Sequence, residues 1–570
     1  MKRHKTLFWL VLVIAVIPLA NFRNALGQEL STLGQQKPVT VGGVISARTL
    51  FYHANGIPHR RSPFSYVVTG APVVSLYGWS VPVSFVFSEQ ERGIRQPFNQ
   101  FGMSPTYKWL TIHAGYRNLS FSPYTMAGHT VLGGGVEGNP GLFRFGFLYG
   151  RFNRATAVDT TSGSLEPFSY TRWGYAAKVG VGKGGNSFDL SVVKATDDST
   201  SAQADATYRR QVRPAENVVF GASARLSFLK QFYFEGEGAV SLYTRHIGSR
   251  IRIDSLLPGI LTGTLGKFIR INGSTEFYSA YQTALGYRSK DFSLKVQYRR
   301  VDPSFRSMGT YFFVNDVENV TITPSLFLLN RKLRFSGSLG LQRDNLQNQK
   351  QATARRVIGA ANLSLDLTER LGIDLNFSNF TNQQRRRTLL LADTFLIAQT
   401  TRNFSIAPRY LVAGTRLSHT FILSYSRMTL DDLNPRAGFD NNIRTNNLFV
   451  NYQLTLVEQN LSFLFNANMI RMQLATGENG NEGLTLGVTK GFYNNKLTLG
   501  LTNSLLRGNQ SGSRSTILNN GLRMTYQKSK KHVFNLLANF IGNYPSQAIT
   551  ELNELRFSEW RGEAGYTFNF

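Results

Sequence analysis

From about Pro38 to Phe570 the chain alternates apolar and polar residues in successive segments of about ten. In Asp291–Arg299, Phe292, Leu294, Val296 and Tyr298 fall on one parity, and Ser293, Lys295, Gln297 and Arg299 on the other. Leu333, Phe335, Leu339 and Leu341 stand against Arg334, Ser336, Ser338 and Gln342 in the same way. So do Leu448, Val450, Tyr452, Leu454 and Leu456 against Asn447, Asn451, Gln453 and Thr455. A period of two sends successive side chains to opposite faces of a strand, so the chain is all-β. Sandwich strands average about five or six residues. Many of these runs reach nine to eleven, the length that crosses a bilayer at a tilt. Tyr243, Tyr298, Tyr425, Tyr452 and Trp560 sit near strand ends, as interfacial girdles require. In lipid only a closed barrel leaves no backbone group unpaired. The expected fold is a transmembrane antiparallel up-and-down β-barrel.

The connections set its size. Short turns recur, for example at Lys183–Ser187, Lys230-Gln231, Ser289–Asp291, Asn330–Lys332, Ala413–Arg416 and Tyr493–Lys496, with two weaker ones at Tyr77–Ser80 and Gly115–Asn118. Longer connections alternate with them, including 122–127, 246–275, 302–317 and 382–402. Twelve turns and thirteen loops join 26 strands, with 22 to 26 the accepted range because 106–137 reads as either one strand or two before its next turn. Short turns belong in the periplasm and long loops outside.

Ahead of this pattern, Lys2, Arg3 and Lys5 precede the apolar run Leu7–Ala20, and Ala25-Leu26-Gly27 offers small residues before Gln28. That is the layout of a secretory signal peptide, expected over 1–27, leaving 28–570 as a single barrel domain. No later run of about 18 apolar residues offers a spanning helix. The mean hydropathy of −0.19 is compatible with a membrane protein whose apolar residues occupy alternate positions. The absence of cysteine excludes disulfides, thiolate metal sites and a cysteine nucleophile. The formal charge of +29 falls to +25 once Lys2, Arg3, Lys5 and Arg23 are removed. The basic residues are scattered and no nucleic-acid motif accompanies them. Membrane phosphates and anionic solutes are the partners expected of this charge, and nucleic acid is not.

The closing stretch, Trp560 to Phe570, puts Trp560, Tyr566, Phe568 and Phe570 on one parity and ends on an aromatic residue. It resembles the C-terminal strand of bacterial outer-membrane β-barrel proteins. The likeness is to the porin-like, plug-less barrels of Bacteroidota, and no motif ties it to one transporter family. The resemblance implies an outer-membrane location, contact with outer-membrane lipids, and recognition of the last strand by the barrel-assembly machinery.

Motifs for chemistry fail on context. Gly133-x-Gly135-x-x-Gly138 matches a dinucleotide fingerprint but runs into Asn139-Pro140-Gly141 and another strand, with no helix to meet a phosphate. His53 and His59 are the one close histidine pair, on no helical face, and no metal or cofactor is expected. His419 shares parity with Leu417, Phe421, Leu423 and Tyr425, opposite to Ser424 and Ser426, so no hydrolase triad can be drawn and no enzyme is expected.

The polar parity carries Lys178, Arg225, Lys295, Arg299, Arg334 and Arg561, with Glu235, Glu237, Asp374, Glu559 and Glu563. These are the candidate lumen-facing binding residues, either simply hydrated and cross-paired or lining a path for anions. Two loops are unusually apolar. One, 251–271, carries Leu256, Leu257, Ile260 and Leu261; the other, 388–398, follows Arg385-Arg386-Arg387. Folding into the lumen or docking a partner would bury such surface. Folded inward, loop 246–275 would set Arg250, Arg252, Lys267 and Arg270 at a constriction. Three functions remain open: a channel for hydrophilic, including anionic, solutes; the barrel subunit of a larger secretion, lipid-delivery or assembly complex with protein partners; and a structural or adhesive surface protein, disfavoured because no loop is long enough to form a domain.

Overall fold

The computed structural model describes residues 39–89, 100–156, 169–201, 212–251, 266, 268–311, 314–386, 397–434, 442–510, 513–546 and 556–570. The alternating segments form one closed antiparallel wall. Its first strands are β1 (Val39–Gly42 and Val44–Asn55), β2 (Phe64–Gly70 and Val73–Leu76), β3 (Trp79–Ser88), β4 (Gln100–Met103 and Thr106–Tyr107), β5 (Leu110–Asn118) and β6 (Thr130–Gly138). Next come β7 (Phe143–Asn153), β8 (Arg172–Lys183), β9 (Asn186–Asp197), β10 (Glu216–Phe228), β11 (Phe232–Thr244), β12 (Thr275–Arg288) and β13 (Phe292–Val301). They are followed by β14 (Val317–Leu328), β15 (Leu333–Arg343), β16 (Ala352–Asp366), β17 (Leu371–Arg386), β18 (Ala398–Ala413), β19 (Leu417–Asp432) and β20 (Ile443–Leu456). The last six are β21 (Leu461–Leu474), β22 (Gly477–Phe492), β23 (Leu497–Gln510), β24 (Ser513–Gln527), β25 (His532–Pro545) and β26 (Phe557–Asn569).

Each strand pairs with the next, and β26 returns to β1 in a register running from Val44↔Asn569 to Asn55↔Ser558. The backbone bonds between Gly43 and Phe570 put both ends of the wall at the short-turn rim. The ring holds the expected 26 strands, three of them interrupted.

The alternation fixes the two faces. Val296 is 40 % exposed on the outside while Lys295 on the other parity reaches Glu235 across the lumen face. Phe147, Tyr149, Leu486, Leu501 and Trp560 are among the exposed apolar residues of the outer band. Tyr298, Tyr425 and Tyr452 keep the outer parity expected of them. Tyr243 does not: it turns inward, where Met308 packs on it and Arg306 lies 5.2 Å over its ring.

One expected turn moves. Gly115–Asn118 is not a turn but the end of β5, and the chain reverses at Lys108-Trp109, where Lys108 takes φ 53°. Gly115 does have φ 88°, the conformation that suggested a turn. It serves instead to let strands close up, since a Cβ there would lie 2.4 Å from the Phe101 carbonyl oxygen.

Candidate pore lumen

Two connections expected outside, 122–127 and 302–317, have their described residues folded into the barrel, with the first inward segment running from 119 to 129. Met126-Ala127 and Gly309-Thr310 pair with each other as a short parallel ladder. Below it Met126 is fully buried with Leu119, Val131, Leu148, Phe152, Ala176 and Val193. Tyr124 and Phe305 meet edge to face at 6.2 Å and pack on Val219, Ala239, Ala280 and Val301. Those wall residues share the parity of Lys178, Arg225, Glu237 and Lys295, so the contact is inside. At this height the inward parity of β6 to β14 changes from polar to apolar or small, which supplies the seat. Gly221 is part of it: a Cβ would stand 2.4 Å from the Thr125 methyl group.

Polar contacts fix the register of the insert. Thr125 and Ser191 hydroxyls lie 3.2 Å apart, and the Tyr124 hydroxyl donates to Gln282 at 3.3 Å. The Ser307 hydroxyl donates to the Thr125 carbonyl, and the Met308 amide donates to Asn217 at 2.9 Å. His129 stacks on Tyr311 with ring centres 4.4 Å apart, and burial pushes its imidazole down to about 4.

Between the insert and the short-turn rim lies a recess of about 600 Å³, lined by charged residues including Arg144, Asp189, Arg225, Glu235, Glu237 and Lys295. Most of these charges answer one another. Lys295 reaches Glu235 at 3.0 Å, Arg225 lies 3.9 Å from the same carboxylate, and Arg144 pairs with Asp189 at 3.1 Å. Further round, Arg334 binds Asp366 at 2.7 Å, while Arg409 bridges Asp366 and Asp374.

Of the six lumen candidates, then, Arg225, Lys295 and Arg334 are ion-paired. Arg561 pairs with Glu563 at 3.2 Å. Lys178 lies over the Phe121 ring at 5.1 Å, and Arg299 stands beside Tyr124. They all face inward, but Arg225 and Lys295 gather at the recess while Arg334 and Arg561 stand on distant strands. Because Arg225, Lys295, Arg334 and Arg561 are paired with carboxylates, they leave little free positive charge to form a selective ring.

Of the loop expected to form a constriction, the described C-terminal end lies on the outer face. Ile269 is buried against Val218 and Leu242, and Phe268 contacts Phe220, all on the outward parity of β10 and β11. The described end of 246–275 therefore covers the outer face at the loop rim. Arg270 is exposed there, its amide bonded to Glu216 at 3.0 Å, and Arg250 is exposed in the same connection. Arg252 and Lys267, like most of the apolar segment 388–398, lie outside the described residues. Apolarity marked a loop that packs, but not on which side.

Sequence reasoning missed the opposite, uncharged wall. On the inward parity of β19 to β23 there is no lysine, arginine or glutamate, and one aspartate, Asp432, at the loop end. Asn451 donates to Asn466, and Thr485 donates to Ser504 at 2.8 Å. The signal was present as uncharged residues, many of them amides and hydroxyls, along the inward parity, but attention to charge passed over it. The described buried clusters draw only on residues from Leu119 to Val317, so none covers this wall.

Of the other described histidines, His113 has Nδ1 2.9 Å from the Ser104 hydroxyl and Nε2 3.2 Å from the Glu137 carboxylate. His53 and His59 rings are 5.6 Å apart, and the described residues hold no cluster of three metal-binding side chains. His419 faces outward with Nδ1 3.0 Å from the Tyr452 hydroxyl.

No family model and no curated protein matches the chain. Solved structures similar to it include the P pilus usher translocation pore (PapC), at 9% identity and TM-score 0.37, over 93% of this chain and 99% of that one. The ferric preacinetobactin receptor BauA of Acinetobacter baumannii aligns at 10% identity and TM-score 0.40, over 93% and 81%. Pseudomonas aeruginosa OccK2 (OpdF) in complex with glucuronate aligns at 10% identity and TM-score 0.29, over 93% and 98%. Scores this low leave function to be read from this chain's own residues.

Proposed function

We propose that the protein is an outer-membrane pore for hydrophilic solutes, formed by one chain and narrowed on one side by its own inward loops. The observation that carries the reading is the pairing of an apolar outer band with a lumen face whose β19–β23 sector is polar and bears no described insert. Barrels of 16–18 strands already enclose an aqueous channel, and about 26 strands enclose more. The insert fills part of that width on the β6–β14 side. The ion-paired state of Arg225, Lys295, Arg334 and Arg561 argues against strong anion selection and for a weakly selective pore. The aromatic parity of β26 fits recognition by the barrel-assembly machinery. Planar-bilayer recording of the purified protein tests the reading: steady ionic current with a cation-to-anion permeability ratio near one is expected. A protein that inserts but passes no current overturns it.

One observation favours a second reading, in which the barrel serves a larger assembly. Outward-facing polar groups at the loop rim form a network: Tyr298 donates to Glu318 at 2.6 Å, Arg343 pairs with Glu318, and Arg300 lies 3.4 Å from Asp302. Such a surface suits protein or headgroup contact better than acyl chains. Stoichiometric partners after mild extraction would support it.

A further inference from the structure

The uncharged wall carries one aromatic platform among unused hydrogen-bonding groups. Phe449 lies on the lumen parity of β20, between Asn447 and Asn451, directly opposite Ser424 on β19 and Asn468 on β21. Asn447 is itself opposite Ser426. Phe449, Asn447, Asn468, Ser424 and Ser426 are all half-buried. Among the described residues, the side chains of Asn447, Asn468, Ser424 and Ser426 have no hydrogen-bond partner, whereas Asn451 is held by Asn466. On the far side of Asn468 is Gly483, which adds no side chain to cover it.

We propose that Phe449 and its neighbours form a subsite for uncharged polyhydroxylated solutes, carbohydrate in the simplest case; this rests on the pore reading and names its substrate class. A sugar ring has an apolar C–H face and an equatorial belt of hydroxyls, each able to donate and accept. A phenyl face offers the first a contact surface, and amides and hydroxyls offer the second both donors and acceptors. Fixed charge would strengthen binding of ions and hold their hydration water, so its absence from five consecutive strands favours neutral solutes over ionic ones. The site is shallow and open to the lumen, which suits brief capture during passage, since a conducting site must also release. The charged recess across the lumen has no such set: its carboxylates and cations are spent on each other, and Gln282 is bound to Glu237 at 3.0 Å.

The test is single-channel recording of the full protein with maltohexaose as the neutral probe and an equally long oligoglucuronate as the charged one. Maltohexaose is expected to produce resolved, concentration-dependent interruptions of the ionic current, and oligoglucuronate shorter ones. In Phe449→Ala the apparent dissociation constant for maltohexaose should rise roughly three- to tenfold, the range an aromatic contact supplies. Phe449→Tyr should bind as the parent does. Asn468→Asp should shift preference toward cations without abolishing current, which also shows that side chain to face the conducting path. The inference falls if ions pass but maltohexaose causes no interruptions, or if Phe449→Ala binds it unchanged; the pore reading survives either result. A protein without current overturns both.

Discussion

Tyr124→Ala removes the side chain on which the two inward loops converge. Tyr124 is 2 % exposed and packs against Phe305 and four wall residues, Val219, Ala239, Ala280 and Val301. Truncating a buried aromatic costs about 3–5 kcal/mol, and here the loss falls on docking of the insert, because the wall's own ladders do not use this side chain. Gln282 keeps its bond to Glu237, so no orphaned polar group adds to the cost. A loss of that size raises the open population of the insert by roughly two to three and a half orders of magnitude. The chain has no cysteine, so Thr125→Cys gives a single reporter at a fully buried position within the insert. Its labelling by a soluble maleimide should be slow in the otherwise unaltered protein and faster by about that factor when Tyr124→Ala is added. Barrel content by circular dichroism and gel mobility should be the same in both. Rapid labelling of Thr125→Cys alone, or no acceleration by Tyr124→Ala, refutes the inward packing of 119–129.

Other consequences are direct. Val296→Arg places a charge on the lipid-facing parity of β13 and should cost about 2–4 kcal/mol near the midplane, measured by unfolding in bilayers, whereas Gln297→Arg on the lumen parity should be tolerated; equal effects would mean the register is wrong. Replacing Trp560, Tyr566 and Phe568 together with Ala should lower the amount of inserted protein, because their outward rings also pack on Phe540, Phe534 and His532 of β25; full insertion of the triple variant counts against that role. Ile269→Asp should release the outer-face loop to protease while unitary conductance stays the same, and a changed conductance would place that loop in the lumen after all. Burial and the nearby Arg172 hold His129 at about 4, below the exposed value of 6.5, so docking of the insert is favoured in full above pH 6.5 and weakens as the pH falls toward 4. That difference corresponds to about 3 kcal/mol; the labelling rate of Thr125→Cys divided by that of a free thiol at the same pH, which removes the loss of thiolate in acid, should rise on acidification, and a ratio that does not rise contradicts the assignment.

The wall was legible because its signal is local and repeated: each strand states its own period, and each turn falls where the period resets. Gly115 shows where this fails. A glycine with positive φ serves a turn and a close strand approach equally well, and only the neighbour at Phe101 distinguishes them. The insert was illegible for a different reason. Leu119, Phe121, Tyr124 and Met126 form too short and aperiodic a run to declare which surface they meet. Their seat did leave a trace, in Val131, Leu148, Ala176, Val193, Val219 and Val301, where lumen parity turns apolar toward the loop end of one strand after another. Reading inward positions across strands, rather than along each one, finds both that patch and the uncharged sector of β19–β23. The apolar loop at 251–271 left folding into the lumen and docking a partner both open, since hydrophobicity fixes burial and not direction; its described end, at Ile269, packs on the outer face.

The chemistry of the two sectors also decides how such a pore can operate. If the insert were to leave its seat, Val131, Leu148, Val193, Val219 and Val301 would meet lumen water together with Met126, Tyr124 and Phe305. Exposing a buried side chain of this size costs about 1.5–3 kcal/mol, so full release costs on the order of 10 kcal/mol, beyond any thermal population. A device that opened by expelling this insert would need a ligand or partner to supply that energy. The sector of β19–β23 needs no such event, because amides and hydroxyls are as well satisfied by water as by solute. Conduction along the uncharged wall, with the insert left in place as a fixed filler, is therefore the low-energy mode of operation. It follows that variants which loosen the insert should alter labelling far more than they alter current, and that Phe449→Ala should alter the sugar-induced interruptions of the current while leaving labelling unchanged.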